Sequence, residues 1–339
     1  MRRFLFLLVA VLLLSLPVRA TADQPLEFGV YGGRDFTFGG YVGQPGTHPA
    51  EPDLTMNRIV ELAGGHPFQY HTYAQWNDGI PAWLESQIDT AAADGLEVNL
   101  ALKYVPPSGH EGDVAGFAAW VKSVVASHPQ VTAWQITNEA DFPGSPDTDG
   151  SHVDAAGALI AGVEAAASVK QPGQKIGFNW LYDLDPAADA AFWSQLRVRG
   201  GPAFRAALDF AGVDIYAGTY FPPLYSADDY RDFRDALVYV RRTMMPLAGL
   251  GRNVPIYIQE TSYPTLAPLR TEAHQARALS AYIRATQGLN VGLLQWFELT
   301  DAQSTLGDGW GLLRPDFSRK PVFCVLKRAV QGPAAPCES

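Results

Sequence analysis

From residue 27 onward, eight short apolar runs alternate with stretches whose apolar residues fall three and four apart. The runs are Glu27–Tyr31, Phe68–Tyr73, Glu97–Lys103, Thr132–Asn138, Lys175–Trp180, Gly212–Tyr216, Pro255–Gln259 and Gly292–Phe297. Runs of this length, dense in Val, Ile, Tyr and Trp, read as strands buried on both faces. The helical spacing between them is clearest at Ile59–Leu62, Trp83–Ile88, Phe117–Val124, Leu159–Val163, Phe233–Val240, Ala278–Ile283 and Val322–Ala329. A strand that returns beside its predecessor after a helix runs parallel to it, by a right-handed crossover. Eight such units in roughly 300 residues fit a closed (β/α)8 TIM barrel, an α/β fold of one domain. An open sheet would carry a glycine-rich phosphate turn after its first strand. Tyr31-Gly32-Gly33-Arg34 lacks the G-x-G-x-x-G spacing. A barrel places its chemistry at the C-terminal strand ends. The segments Gly32–Pro52 and Glu298–Phe317 are long for connectors and are expected to wall a cleft there.

Composition narrows the functional classes. With 47% hydrophobic and 18% charged residues, the 339-residue chain can bury a large core. A net charge of −10 without a basic block argues against a nucleic-acid partner. Arg2 and Arg3 precede an apolar run, Phe4–Leu16, followed by Pro17 and small residues at Ala20 and Ala22. This is the layout of a secretory signal peptide over residues 1–22, with residues 23–339 as the catalytic domain. This thirteen-residue run is too short for the ~20 of a spanning helix, so stable membrane insertion is not expected. The expected location is extracellular, cell-wall associated or periplasmic, and the expected state is a monomer. In an oxidising compartment Cys324 and Cys337 are expected to pair; the alternative is a buried Cys324 beside a free Cys337. The seven histidines show no metal-ligand spacing, and no Ser lies in G-x-S-x-G. No metal and no cofactor is expected.

Two candidate strands finish on carboxylates. The fourth ends in Asn138-Glu139 and the seventh in Gln259-Glu260. Strands 4 and 7 face each other across a barrel mouth, so both carboxylates can converge on one substrate atom. Glycosidic cleavage needs such a pair: one protonates the leaving oxygen while the other attacks or activates water. Two unrelated glutamates at helix N-termini are the plainer alternative. Asp141, Asp183, Asp214, Glu298 and Asp301 also fall near strand ends, with Asp214 reading as buried and paired.

Trp134-Gln135-Ile136-Thr137-Asn138-Glu139, Ile256-Tyr257-Ile258-Gln259-Glu260 and Gln295-Trp296-Phe297 resemble the strand 4, 7 and 8 signatures of clan A glycoside hydrolases, with a looser likeness to families 5 and 39. The resemblance implies a secreted retaining O-glycosyl hydrolase acting on oligo- or polysaccharide. It implies Glu139 as acid/base, Glu260 as nucleophile, and Asn138 on the sugar 2-hydroxyl. It further implies Tyr216 as donor to Glu260 and Trp296 as floor of the reacting subsite. Many clan members carry an Arg ending strand 2 and a His near strand 3. Here His71 and Lys103 stand in those regions, either contacting sugar hydroxyls or serving as rim residues with their own partners. Sugar rings stack on aromatic faces. Trp180 joins Trp296 as an expected cleft residue, with Tyr31, Trp76, Tyr104, Tyr182, Tyr220, Phe221, Tyr263 and Trp310 as further candidates. Two functional classes stand: a hydrolase, or a carbohydrate-binding barrel that has lost turnover.

Overall fold

The computed structural model describes residues 25–32, 51–183, 185–216, 228–265, 270–301 and 309–338. The expected signal segment, Tyr220 and Phe221 lie outside them. Eight parallel strands form one sheet: β1 Glu27–Tyr31, β2 Phe68–Gln75, β3 Glu97–Lys103, β4 Val131–Ile136, β5 Lys175–Gly177, β6 Ala211–Asp214, β7 Ile256–Glu260 and β8 Val291–Trp296. Each lies on its expected run, with ends shifted by up to three residues. The order is β5-β4-β3-β2-β1-β8-β7-β6, so only β5 and β6 lack a ladder. Five backbone bonds nonetheless cross that seam, two of them from Asp209 and Phe210 N–H to Ile176 O at 2.7 and 3.4 Å. Gly212 N–H donates to Phe178 O at 2.7 Å, Asp214 N–H to Trp180 O at 2.8 Å and Tyr182 N–H to Asp214 O at 3.0 Å. The strands therefore close into the expected (β/α)8 barrel.

Nine helices pack outside among the described residues: α1 Pro52–Ala63, α2 Ala82–Ala93, α3 Val114–Ser127, α4 Ala155–Ala167, α5 Pro186–Ala207, α6 Asp229–Tyr239, α7 Met245–Leu247, α8 Glu272–Ala285 and α9 Pro321–Gln331. Five start on a side chain that accepts a first-turn N–H, namely Asp113, Asp154, Asp185, Asp228 and Thr271. Each such cap satisfies a donor that the helix cannot, worth about 1 kcal/mol. The sequence reading named no helix over α5. Its apolar face, Phe192, Trp193 and Leu196, is cut from Phe204 by Gly200-Gly201-Pro202, and Gly201 has φ of 59°. That kink breaks the periodicity by which a helix is read. Helix α9 closes the ring against α1. Gln331 donates to the carbonyls of Glu61 and Leu62, and Glu61 takes Arg58, Arg319 and Lys327. Cys324 on α9 is bonded to Cys337, with Cα atoms 5.5 Å apart, as expected.

The barrel interior is stacked in layers of inward side chains. Ala133, Phe210, Tyr257 and Leu293 form a floor. Above them lies an amide layer: Asn99 donates to Gln69 at 3.0 Å and Gln259 at 2.9 Å, and Gln295 donates to Gln69 at 3.1 Å. An aromatic layer of Tyr31, Tyr73, Tyr216, Phe297 and Trp310 caps the stack. Since the strand period is two, every second residue points inward, and the next faces the helices.

The seam depends on one glycine. A Cβ on Gly212 would lie 2.1 Å from Phe178 O and 2.9 Å from Gln259 Cγ. Gly212→Ala must push β6 off β5, so a loss of about 1–3 kcal/mol in denaturant unfolding is expected. A midpoint equal to wild type would show that the seam yields freely.

Candidate active site

The β4 end is built to aim consecutive side chains in unusual directions. Thr137 and Glu139 both have positive φ, 66° and 49°, each a conformation that costs a non-glycine residue about 1–3 kcal/mol. Buried partners hold them there. Asp149, fully buried in a single turn of 3-10 helix, accepts Tyr104 N–H at 2.7 Å and Asn138 N–H at 2.8 Å on one oxygen. Its own N–H returns to Asn138 O at 2.8 Å, and Gly150 N–H reaches Glu139 O at 3.2 Å. Asn179, just past β5, accepts Glu139 N–H at 2.7 Å and donates to Asn138 Oδ1 at 2.9 Å. Gln135 gives that same Oδ1 a second bond at 3.1 Å. The doubly engaged oxygen leaves the Asn138 amide nitrogen turned away from these partners.

Across the mouth, Glu260 ends β7 and is buried. Tyr73 donates to its Oε1 and Tyr216 donates to Oε2 at 2.6 Å. Carboxyl oxygens of Glu139, Asp214 and Glu260 all lie within 4.8 Å of one another. Lys103 is almost fully buried beside them, its ammonium donating to Asp147 O and lying 5.9 Å from the Tyr73 ring centre. The spacing of the three acids alone would suit a cation. Both Glu260 oxygens, however, already take phenol protons, and an ammonium stands alongside. The donor set is that of a cluster sharing protons.

Electrostatics separates the two glutamates. Burial raises the Glu139 carboxyl well above its ordinary range, and the Glu260 and Asp141 charges add to the rise. Burial also raises Glu260, but the Tyr216 and Tyr73 hydroxyls and the Lys103 charge pull it back. Glu260 is thus the group that ionises first, and Glu139 the one that keeps its proton. The two phenols beside the Glu260 charge are themselves pushed far up, by burial first and by Glu260 next, so they remain donors.

The structure gathers Glu139, Glu260, Asn138, Tyr216 and Lys103 at the mouth. It does not gather Trp180, Trp296 or His71. Both tryptophans are fully buried and face the helices; Trp180 packs edge-on against Trp193 of α5, and Trp296 donates its indole N–H to Trp310 O. Neither offers a face to a sugar, which corrects the expectation. Strand alternation is the reason: the inward positions are Asn179 and Leu181 beside Trp180, and Gln295 and Phe297 beside Trp296. Phe297 joins the aromatic layer, stacked on Tyr31 at 5.0 Å. His71 points inward but one layer too deep. It is fully buried against Tyr73, and neither ring nitrogen has a hydrogen-bond partner among the described residues, so it is not a rim residue with its own partners. Burial pushes its pKa down to about 3, so it is neutral.

Of the other candidates, Trp310 stands edge-on to Tyr216 at 5.7 Å in the aromatic layer. Trp76 stacks on Tyr104 beside α3, and Tyr263 packs against His274 of α8. Among the competing acids, Asp301 is held by Lys320 at 2.6 Å and Asp141 accepts Leu181 N–H at 3.2 Å. The sequence reading missed Tyr73, Asn179 and Asp149. Alternation along β2 could have found Tyr73; nothing local marks the other two.

No protein-family model and no curated protein sequence matches the chain. Solved structures do. A β-glucuronidase from Ruminococcus gnavus, in complex with D-glucuronic acid, superposes at a TM-score of 0.58 and 17% identity, over 91% of this chain and 49% of its own. A family 39 glycoside hydrolase from Bacteroides cellulosilyticus WH2 gives 0.62 and 16%, over 91% and 64%. GH5_18 from Streptomyces cattleya, in complex with GlcNAc, gives 0.62 and 17%, over 94% and 83%. The chain thus spans about half the length of the first and less than two thirds of the second. At such identities the likeness establishes the fold. The resemblance to the clan A barrel of families 5 and 39 is borne out at that level.

Asp149 yields a test with a definite sign. Burial raises its pKa to about 6, against an ordinary 3.8, with Lys103 and the two N–H donors pulling down. The folded state therefore binds this proton more tightly than the unfolded one. The stability that Asp149 contributes is full below about pH 4 and lost as pH rises through 6. Asp149→Asn keeps an acceptor oxygen and lacks this titration. Its stability relative to wild type should improve by on the order of 2–3 kcal/mol between pH 4 and pH 8 in denaturant titrations. Asp149→Ala strands two buried N–H groups and should lose about 2–4 kcal/mol at pH 4, a loss that shrinks toward pH 8 by the same 2–3 kcal/mol because alanine also lacks the titration. A pH-independent difference for Asp149→Asn would place its charge elsewhere.

Proposed function

We propose that the chain is a glycoside hydrolase that cleaves O-glycosidic bonds with retention, Glu260 acting as nucleophile and Glu139 as acid/base. The observation that carries this reading is the pairing of Glu139 and Glu260 oxygens within 4.8 Å, with two phenols on one carboxyl and a raised pKa on the other. Retaining enzymes hold their carboxyl groups about 5–5.5 Å apart, whereas inversion needs ~6.5–9.5 Å to seat a water between them. In the first step, Glu260 forms a bond to the anomeric carbon while Glu139 gives its proton to the departing oxygen. Esterification removes the Glu260 charge, so the Glu139 pKa falls and its carboxylate accepts a proton from the incoming water. Asn138, its Oδ1 already occupied, donates from its amide nitrogen to the sugar 2-hydroxyl. The engaged and charged state of the pair favours this reading over a barrel that only binds carbohydrate.

The substrate class is an oligo- or polysaccharide; the sugar-bound neighbours support a sugar ligand in a barrel of this type. We further propose export of the chain, which the apolar segment behind Arg2 and Arg3 and the Cys324–Cys337 bond support. Among the described residues no helix is long and apolar enough to cross a membrane.

A panel of aryl glycosides, including glucosides, glucuronides, mannosides and N-acetylglucosaminides, tests the activity. Glu260→Ala should abolish turnover of every substrate. Glu139→Ala should lose about 10²–10⁴-fold on poor leaving groups, spare activated aryl glycosides, and respond to azide with a glycosyl azide of retained configuration. NMR of the first-formed product showing an inverted anomer would defeat the mechanism.

The rate should be bell-shaped in pH, the acid limb reporting Glu260 and the basic limb Glu139, as apparent values of a coupled pair. Tyr73→Phe and Tyr216→Phe each remove a hydrogen bond that favours the Glu260 anion, so each should move the acid limb upward. Unmoved acid limbs in both variants would mean that the phenols do not tune the nucleophile.

A further inference from the structure

One buried acid at the floor of the site has no part in the double displacement. Asp214 ends β6, is fully buried, and sets a carboxyl oxygen within 4.8 Å of oxygens of both Glu139 and Glu260. Its Oδ2 accepts from Asn179, the residue that also donates to Asn138 and accepts the Glu139 N–H. Its Oδ1 is buried and, among the described residues, makes no hydrogen bond of ordinary geometry. The titratable groups facing Asp214 are Glu139 and Asp141 from the segment after β4, Glu260 from β7, Tyr73 from β2, and Tyr216 two residues along its own chain.

Three carboxyls with oxygens within 4.8 Å of one another cannot all be readily ionised, because each negative charge disfavours the next. The ammonium of Lys103 offers a single positive charge, shared by Asp149, Glu139 and Glu260. Two phenol hydroxyls fix the negative charge on Glu260, whereas Asp214 receives one side-chain amide, from Asn179, and a weaker pull from the Glu260 backbone N–H, and its Oδ1 makes no hydrogen bond of ordinary geometry among the described residues. A bare buried oxygen is far less costly on a neutral acid than on an anion.

We propose that Asp214 is a neutral carboxylic acid in the resting enzyme and serves as a positioning residue, holding Asn179, and through it Asn138 and Glu139, without placing a second negative charge beside the nucleophile. The proposal rests on the reading of Glu139 and Glu260 as the catalytic pair. The direction of its pKa agrees: burial first, then the Glu260 and Glu139 charges, drive it well above the ordinary carboxyl range. An ionised group at this place would oppose the Glu260 anion. An apolar one would leave the Asn179 amide with only one of its two acceptors, Asn138 Oδ1.

Infrared spectroscopy of the full chain at neutral pH decides the protonation state without any substrate. The wild-type minus Asp214→Asn difference spectrum should carry the carbonyl stretch of a protonated carboxyl. Carboxylate stretches in its place would overturn the proposal. On the aryl glycoside that the panel identifies, Asp214→Asn exchanges one neutral group for another, so both pH limbs should stay in place while kcat falls a few-fold and KM changes little. Were Asp214 ionised, the same substitution would remove a negative charge and move both limbs downward together, by roughly one to three pH units, and that result also overturns the proposal. Asn179→Ala serves as a second variant should Asp214→Asn not fold. It should lower kcat with both limbs unmoved, and a limb shift there counts against a neutral Asp214. If no glycoside is turned over, the catalytic reading fails while the infrared result still decides Asp214.

Discussion

The charge on Glu260 is the feature around which the barrel mouth is arranged. A buried carboxylate is costly unless donors surround it. Tyr73 from β2, Tyr216 beyond β6 and the Lys103 ammonium from β3 supply that environment from three different strands. The closed barrel is what lets residues so far apart in sequence meet at one oxygen pair. With that anion fixed, Glu139 is obliged to hold a proton, so the two groups differ in charge although both are glutamates at strand ends.

The other side of the mouth depends on backbone geometry. Positive φ at Thr137 and Glu139 turns the chain sharply just where β4 ends, and the bonds from Asp149, Asn179 and Gly150 over-determine that turn. Rigidity of this kind suits a group that must deliver a proton to one defined oxygen, because small displacements are costly to rate. The amide layer below adds a polar but hydrogen-bonded base. Seen from the floor upward, the interior passes from apolar to amide to acidic and aromatic, so polarity rises toward the face where substrate would enter.

The β-glucuronidase and the GH5_18 structure share this barrel at 17% identity each, and they hold different sugars, D-glucuronic acid and GlcNAc. A barrel of this class hosts many chemistries on one scaffold, so the argument for activity lies in the site's own geometry and protonation pattern.

Sequence alone determined the barrel. Eight apolar runs spaced by helical stretches leave parallel closure as the economical solution, and the carboxylates at the ends of the fourth and seventh runs follow from topology. The pairing of Tyr216 with Glu260 was legible by resemblance, and that of Cys324 with Cys337 from the oxidising compartment expected for an exported chain. Helix α5 was not legible, because Gly200-Gly201-Pro202 interrupts its apolar face. Tertiary structure decided which aromatic residues face the mouth. Trp180 and Trp296 sit one residue out of phase with the inward set, and an apolar run buried on both sides gives no clue to its phase. It also decided the roles of Asp149, Asn179 and Asp214. Their meaning lies in bonds to residues 11 to 45 positions away, and no local pattern distinguishes such an acid or amide from a solvated one.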